Sequence, residues 1–290
     1  MTEAHIDIEP AGENRLLQDC YRYMQADKLV LPTLPDIAFK IRRTINDEHI
    51  STANIARIVQ MDPAITAKLI QVANSPMYAG RRKIESCPEA LTRTGLKAAQ
   101  NIITTIAMKA VFNAKSALIR KKMADLWTHS SYVAAISAVI AQKTPGFDPD
   151  RAMLAGLVHD IGIVPILAYA DNIPEALDQP QNLRETVRKL RIPIGLQIIR
   201  KWDFPLDFEE VITQAENWHY DSQGAVNYTD IVMIAQLHSF IGQVDSKKIP
   251  RLDTLPAYNK LVAGRMDADV SINILDSAKY EIDQIRNLLQ

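Results

Sequence analysis

The stretch Leu154-Ala155-Gly156-Leu157-Val158-His159-Asp160-Ile161-Gly162 places a histidine and an aspartate side by side in an apolar, helix-like run. Burying an imidazole beside a carboxylate costs on the order of several kcal/mol unless hydrogen bonds or a bound cation compensate. The pair therefore has two interpretations, which the sequence leaves open. Either His159 and Asp160 are ligands of a metal ion, or they form a polar network that persists in the core after its chemistry has been lost.

A second histidine, His129, lies on an earlier helical pattern that runs from Leu126 to Gln142. Residues 143–149 (Lys-Thr-Pro-Gly-Phe-Asp-Pro) indicate a turn, and so short a connection favours antiparallel helices. His129 lies 14 residues before this turn and His159 lies 10 residues after it. At about 1.5 Å per residue the two histidines differ in height by only ~6 Å. The spacing therefore allows one cation to bridge them.

The composition is that of a globular protein, with 290 residues, 47% hydrophobic and 23% charged. The net charge of −1 gives no global attraction to membranes or nucleic acids, and we expect neither as a specific partner. The charge is uneven, however, because residues 81–122 hold ten Lys/Arg and only two Glu. This basic segment could bind a small anionic ligand or an acidic partner, or it could be a solvated helix surface.

Several features predict a cytoplasmic protein. The two cysteines, Cys20 and Cys87, are too few for a disulfide framework and fit a reducing compartment, and no secretory leader opens the chain. The segment Met153–Ala170 is the one candidate of membrane-spanning length. Because His159, Asp160 and Pro165 lie near its centre, a lipid-exposed span would be costly, and we interpret the segment as a core helix.

The helical pattern continues through most of the chain and predicts an all-α fold. Ser51, Asp62 and Asp148 are placed to cap helices, and Pro63 and Pro149 occupy first helical positions. No alternating strand pattern, internal repeat or Gly-rich phosphate loop is found. The remaining helices are predicted near 14–26, from Gly95 to Phe112, and near 183–190, 193–202, 207–217, 226–243 and 270–289.

Several motifs, in order, resemble the HDOD domain, a bacterial relative of the HD metal-dependent phosphohydrolases. They are Met61-Asp62-Pro63-Ala64, Leu69 to Pro76, Ile84-Glu85-Ser86, Ala90-Leu91, Gly95-Leu96, His129, Gly156 to Gly162, Ile194-Gly195, Trp202, Phe204-Pro205 and Trp218-His219. The resemblance implies an orthogonal bundle of two helical lobes, an N-terminal lobe (30–115) and an HD-like lobe (116–240). A leader helix (1–29) would precede this HDOD domain, and a C-terminal helical extension (241–290) would follow it.

The resemblance also implies a ligand set for a divalent metal ion. HD phosphohydrolases have an early His, the His-Asp pair and a late Asp, and His129, His159 and Asp160 match the first three positions. The late Asp falls at Gln236, whose neutral amide cannot supply the missing negative charge. Asp230 would lie ~9 Å further along the helix and is a poor substitute. The resemblance therefore implies that His129, His159 and Asp160 either hold a divalent metal ion or form a vestigial metal site, and it assigns no catalytic residue.

HDOD domains resemble degenerate, non-catalytic members of the HD superfamily that are used in signalling. The function expected from this resemblance is a bacterial regulatory protein that binds signalling partners or senses a ligand. The alternative is a metal-dependent phosphohydrolase acting on a phosphomonoester or nucleotide. We interpret His219 as a capping or surface residue and His238 as a packing residue. The last helix is expected to pack on the parent domain rather than to bind a partner or form a dimer.

Overall fold

A computed structural model describes residues 14–45, 51–78, 80, 82–173, 179–241, 249–263 and 278–289. Within these ranges helices are the only regular secondary structure, which confirms the all-α prediction. The α-helices are α1 (Arg15–Gln25), α2 (Asp36–Ile45), α3 (Thr52–Gln60), α4 (Pro63–Ala73), α5 (Cys87–Thr94), α6 (Leu96–Ala107), α7 (Ala117–Gln142), α8 (Pro149–Val158), α9 (Ile163–Ala170), α10 (Pro180–Lys201), α11 (Leu206–Gln214), α12 (Tyr228–Phe240), α13 (Pro256–Ala263) and α14 (Lys279–Leu289). Short 3₁₀ helices cover Met108–Val111 and Leu252–Thr254.

The predicted helix starts are confirmed by side-chain caps. Ser51, Asp62 and Asp148 each accept hydrogen bonds from backbone N–H groups in the first turn of α3, α4 and α8. Pro63 and Pro149 are the first residues of α4 and α8, where a proline leaves no helical hydrogen bond unmade. Local chemistry was therefore sufficient to place these helix ends.

The central helix α7 is longer than predicted. It begins after Ser116, whose side chain accepts from the backbone N–H of Ile119, and it runs for 26 residues. The prediction missed its first turns because Arg120-Lys121-Lys122 interrupts the apolar pattern, although Ile119 and Met123 are buried. Helix α7 packs against α8, α12 and α14 and forms the centre of the core.

Two helices predicted at 183–190 and 193–202 are one continuous helix, α10, with Pro193 in its interior. Proline disfavours a helical conformation in the preceding residue and removes one hydrogen bond. Here the buried residues Leu190, Ile194 and Ile198 lie on both sides of Pro193 and pack into the core. This packing keeps both halves in one helix, so the prediction that the helix ends before Pro193 was wrong.

The apolar run Met153–Ala170 is not one helix, contrary to prediction. Helix α8 ends at Val158, residues 159–162 form a turn, and α9 begins at Ile163. The segment Pro149–Ala170 is apolar enough and long enough to cross a membrane, but 83% of its most apolar window is buried inside the fold. His159 and Asp160 therefore lie in a turn between two core helices.

The terminal helices both pack on the rest of the described structure. Helix α1 buries Leu16, Leu17, Cys20 and Met24 and contacts α9 and α10. Helix α14 buries Ile282, Ile285, Leu288 and Leu289 and contacts α4, α6 and α7, which agrees with the expected packing on the parent domain. The predicted start of this last helix near residue 270 lies outside the described residues.

Candidate functional site

The three residues predicted as metal ligands are close together in space. His129 lies on α7, and His159 and Asp160 lie in the turn after α8. Their potential ligand atoms all lie within 4.8 Å of one another, and the two imidazole centroids are 5.4 Å apart. His159 and Asp160 are buried, whereas His129 is half-buried. The antiparallel packing of α7 and α8 thus produces the predicted cluster.

The hydrogen bonds of His159 define its proton arrangement. Its Nδ1 lies 2.7 Å from the carbonyl oxygen of Gly156, and because a carbonyl only accepts, Nδ1 carries the hydrogen. Its Nε2 lies 3.3 Å from Oδ2 of Asp160. A bare Nε2 would direct a lone pair at the carboxylate, so this contact requires either a proton on Nε2 or a cation between the two atoms.

Two charged residues that the sequence analysis missed complete the cluster. Arg191 of α10 places Nη1 2.6 Å from Oδ1 of Asp160, and its Nη2 donates to Glu216. The Glu216 side chain follows α11 and is 39% exposed. Arg191 lies 31 residues from Asp160 along the chain, in a segment whose apolar pattern indicates a helix and nothing more. Sequence spacing carried no signal for this ion pair.

Gln236 of α12 lies in the cluster, as the resemblance implied for the late position. Its amide interacts with His129 and its Nε2 lies 3.5 Å from Glu216, while its buried Oε1 has no hydrogen-bond partner among the described residues. Asp230 lies elsewhere: its side chain caps the start of α12 and is 2.7 Å from the Lys260 ammonium. Asp230 is thus not a substitute for the missing ligand.

The charges in the cluster reinforce one another. Burial alone would lower the pKa of His159, but the carboxylate of Asp160 outweighs it and raises that pKa above the ordinary value. Burial would raise the pKa of Asp160, but His159 and then Arg191 hold it well below its usual range. Burial, followed by repulsion from His159, lowers the pKa of His129 to about 4. His159 and Asp160 thus stabilise each other's charged forms, whereas the neutral form of His129 is favoured.

The fit of the cluster to a divalent cation is incomplete. His129, His159 and Asp160 supply three donors, and the orphaned Oε1 of Gln236 is a weak neutral fourth. Asp160 and Glu216 bring two carboxylates, and Arg191 already balances one of them. The cluster therefore offers little uncompensated negative charge to a divalent ion, and a divalent charge is costly to bury without such compensation.

An aromatic ring packs against His129, and a second ring packs against the first. Phe240 stacks on the His129 ring at a centroid distance of 5.8 Å, and Trp218 contacts Phe240 edge-on at 6.4 Å. His219 is exposed and His238 is buried, and neither belongs to the group of clustered ligand atoms. Their positions agree with the surface and packing interpretations.

Comparisons with known proteins agree with this architecture. The HDOD domain family model matches residues 31–218. A crystal structure from Shewanella amazonensis SB2B, whose name is that of a metal-dependent phosphohydrolase, is similar with a TM-score of 0.81 and 28% identity, covering 95% of this chain and 98% of that chain. A structure from Marinobacter aquaeolei VT8, named as a signal transduction protein, has a TM-score of 0.59 and 18% identity, covering 96% of this chain and 66% of that one.

A curated relative from Treponema pallidum (strain Nichols), named an uncharacterized protein, is 22% identical over 243 residues. The match covers 76% of this chain and 45% of the relative, so the chain spans about half the length of the curated relative that it matches. The family model, in contrast, lies wholly within the chain and covers more than half of it, including helix α7 with His129 and the turn with His159 and Asp160. This chain belongs to the HDOD domain family.

Proposed function

We propose that this chain is a non-catalytic regulatory module in which the former metal site of the HD superfamily is a buried network of hydrogen bonds and charges. The observation that carries the proposal is the guanidinium of Arg191, 2.6 Å from Asp160. It occupies one oxygen of the single carboxylate in the ligand set and supplies the positive charge that a metal would otherwise bring. Gln236, neutral at the late position, supports the same conclusion.

The module would transmit its signal through contacts with signalling proteins or through a small ligand. Among the described residues, His129, His159 and Asp160 are the group of His, Cys, Asp or Glu side chains placed closely enough to share a metal ion. We further propose that it works in the cytoplasm, where its two buried free cysteines stay reduced. The Marinobacter relative named as a signal transduction protein supports the regulatory assignment.

The test combines metal analysis with a screen for phosphatase activity. We expect purified protein to hold far less than one equivalent of metal and to turn over neither phosphomonoesters nor nucleotides. The Gln236→Asp variant supplies the missing carboxylate and should raise Mn²⁺ or Zn²⁺ occupancy, whereas the matched surface variant Gln60→Asp should not. Stoichiometric metal and turnover in the unaltered protein, both lost in Asp160→Ala, would show that the proposal is wrong.

A second candidate, a metal-dependent phosphohydrolase, is favoured by one observation. The Nδ1–H of His159 is held by Gly156, the orientation in which Nε2 can serve as a ligand together with His129 and Asp160. A divalent ion held there would supply Lewis acidity and an activated water. The similarity to the Shewanella protein supports this alternative, and the same metal analysis and activity screen separate the two functions.

A further inference from the structure

A cavity of about 490 Å³ lies between α2, α6, α8 and the start of α11, away from the His-Asp cluster. We name it the α2–α6 cavity. Its walls include the basic side chains Arg42, Arg43, Lys97 and Arg151, together with Asn101 and Phe39. Pockets that hold small ligands have volumes of about 300 to 1,000 Å³. The cavity is thus of a size for one small molecule.

The positive charge of this cavity is only partly balanced. Arg151 forms a two-pronged ion pair with Asp207, at 2.9 Å from Nε and 2.6 Å from Nη2. Among the described residues, no carboxylate lies within 4 Å of the charged groups of Arg42, Arg43 or Lys97. Cationic side chains gathered around a concave surface attract an anion, and phosphate is well matched to guanidinium groups.

The charge of Arg42 is only partly compensated. Arg42 is partly buried, it donates to the backbone oxygen of Asp203 at 2.7 Å, and its guanidinium lies 4.3 Å from the ring centroid of Phe204. The carboxylate of Asp203, which also lines the cavity, attracts Arg42 but forms no ion pair with it within 4 Å. A bound anion would complete the compensation of this charge.

The cavity also presents an amide and an aromatic ring. Asn101 is 8% exposed, and its side chain has no hydrogen-bond partner among the described residues. Its amide atoms are not fully closed off from solvent, so they can pair with a ligand that enters the cavity. Phe39 is 51% exposed, and the Arg43 guanidinium lies over one face of its ring at 5.6 Å from the centroid, so the opposite face is the one on which a planar base can stack. Anion-binding, amide and stacking groups together match a nucleotide.

We propose that the α2–α6 cavity binds a nucleotide. The phosphate lies against Arg42, Arg43 and Lys97, the base stacks on Phe39, and the Asn101 amide pairs with a polar edge of the base or ribose. The site shares no residue with the His129–Asp160 cluster and does not rest on the function proposed for that cluster. Nucleotide binding here would give the regulatory module an input.

The test is isothermal titration of the full chain with adenine and guanine nucleotides in linear and cyclic forms. Inorganic phosphate and the unphosphorylated nucleosides form separate arms. We expect one nucleotide to bind at least tenfold more tightly than either phosphate or its own nucleoside. Arg43→Ala and Lys97→Ala, both at exposed positions, should each weaken that binding by tenfold or more. The matched variant Lys121→Ala, exposed on α7, should change it by less than twofold.

Asn101→Ala should also weaken nucleotide binding, and its melting temperature is measured in parallel because Asn101 is buried. The proposal is overturned if no nucleotide binds below about 1 mM at physiological salt. It is equally overturned if phosphate alone binds as tightly as every nucleotide, or if Arg43→Ala and Lys97→Ala leave the affinity unchanged. If an acidic peptide bound in the cavity and no nucleotide did, the basic residues of the cavity would instead be assigned to binding a protein partner.

Discussion

Two glycines next to the His-Asp turn allow three helices to approach closely. A side-chain Cβ at Gly156 would lie 2.7 Å from Ser137 Oγ and 3.0 Å from the Cα atom of Ala134, so α7 and α8 are in near-backbone contact there. A Cβ at Gly162 would lie 1.9 Å from the carbonyl oxygen of Arg191. The same approach brings α10 close enough for Arg191 to reach Asp160. These contacts decide the shape of the site at the residue level.

We expect Gly162→Ala to destabilise the protein by about 3 kcal/mol or more, because the added methyl group meets backbone rather than a movable side chain. Denaturant unfolding followed by circular dichroism measures this loss. Gly224→Ala is the matched control, because a Cβ there has its nearest neighbour at 3.7 Å, and it should change stability by less than about 0.5 kcal/mol. Equal stability of the two variants would contradict the assigned contact.

Asp150, in the first turn of α8, predicts a dependence of stability on pH. Burial raises the pKa of this carboxyl to about 7, although the hydrogen bond that Tyr78 donates acts in the opposite direction. The unfolded chain has a pKa of about 3.9 at this residue, so folding favours the protonated form. The stabilising contribution is therefore fully present below about pH 4 and is lost as pH rises through about 7.

Asp150→Asn removes this titration. From pH 4 to pH 8, the free energy of unfolding of the variant should rise relative to the unaltered protein by about 2 to 4 kcal/mol. Guanidinium unfolding at a series of pH values gives the difference directly. The exposed variant Asp27→Asn should run parallel to the unaltered protein over the same range. If the free energies of unfolding of Asp150→Asn and the unaltered protein instead changed in parallel with pH, the pKa of Asp150 would not be raised in the folded protein.

At the scale of elements, tertiary packing overrides local preference in α10 and in the 149–170 segment. Pro193 should end a helix by local rules, yet buried side chains on both sides of it keep α10 continuous. Conversely, Gly162 and Pro165 are local signals for the break in the 149–170 segment, but the apolar pattern that continues on both sides of them indicates one helix. In both cases the deciding contacts come from helices distant in sequence.

Helix α14 provides a prediction at this scale. Ile285 is 5% exposed against the core, and the Lys68 ammonium donates to the Leu288 carbonyl oxygen at 2.8 Å. Ile285→Ala should therefore cost about 2 to 4 kcal/mol in free energy of unfolding. Tyr280→Ala is the control on the same helix, where the ring is 64% exposed, and should cost little. Urea midpoints compare the two, and a cost at Tyr280 equal to that at Ile285 would argue against the observed orientation of α14.

At the scale of the whole molecule, buried side chains from α1 to α14 form one continuous core. Helix α6 packs on α8, α1 packs on α10, and α14 contacts α4 and α7, so elements distant in sequence support one another. The boundary predicted between a leader helix and the domain at residue 30 stays a prediction. The apolar face of α1 nevertheless packs against α10, the helix that carries Arg191 of the candidate site.

A chain that begins at Asp27 should therefore be much less stable than the full chain. It lacks the apolar face of α1, in which Leu17 is 2% exposed and Cys20 fully buried, and each buried side chain of this kind contributes about 1.5 to 3 kcal/mol. Leu17→Ala should show a smaller loss of the same sign, and Arg15→Ala, at a position whose side chain is 79% exposed, almost none. Thermal melting and size-exclusion chromatography measure the effect. Unchanged melting of the shortened chain would contradict the packing of α1.

The sequence alone determined the all-α class, the capped helix starts and the neighbourhood of His129, His159 and Asp160. These depend on periodicity, on side chains that bond to adjacent backbone, and on one short turn between two helices. Only the tertiary structure decided that Arg191 and Glu216 join the cluster and that the His-Asp pair lies in a turn. It also brought the basic residues of α2, α6 and α8 to one cavity. Charge pairs between distant helices leave no local periodicity, because their free energy arises only after packing brings them together.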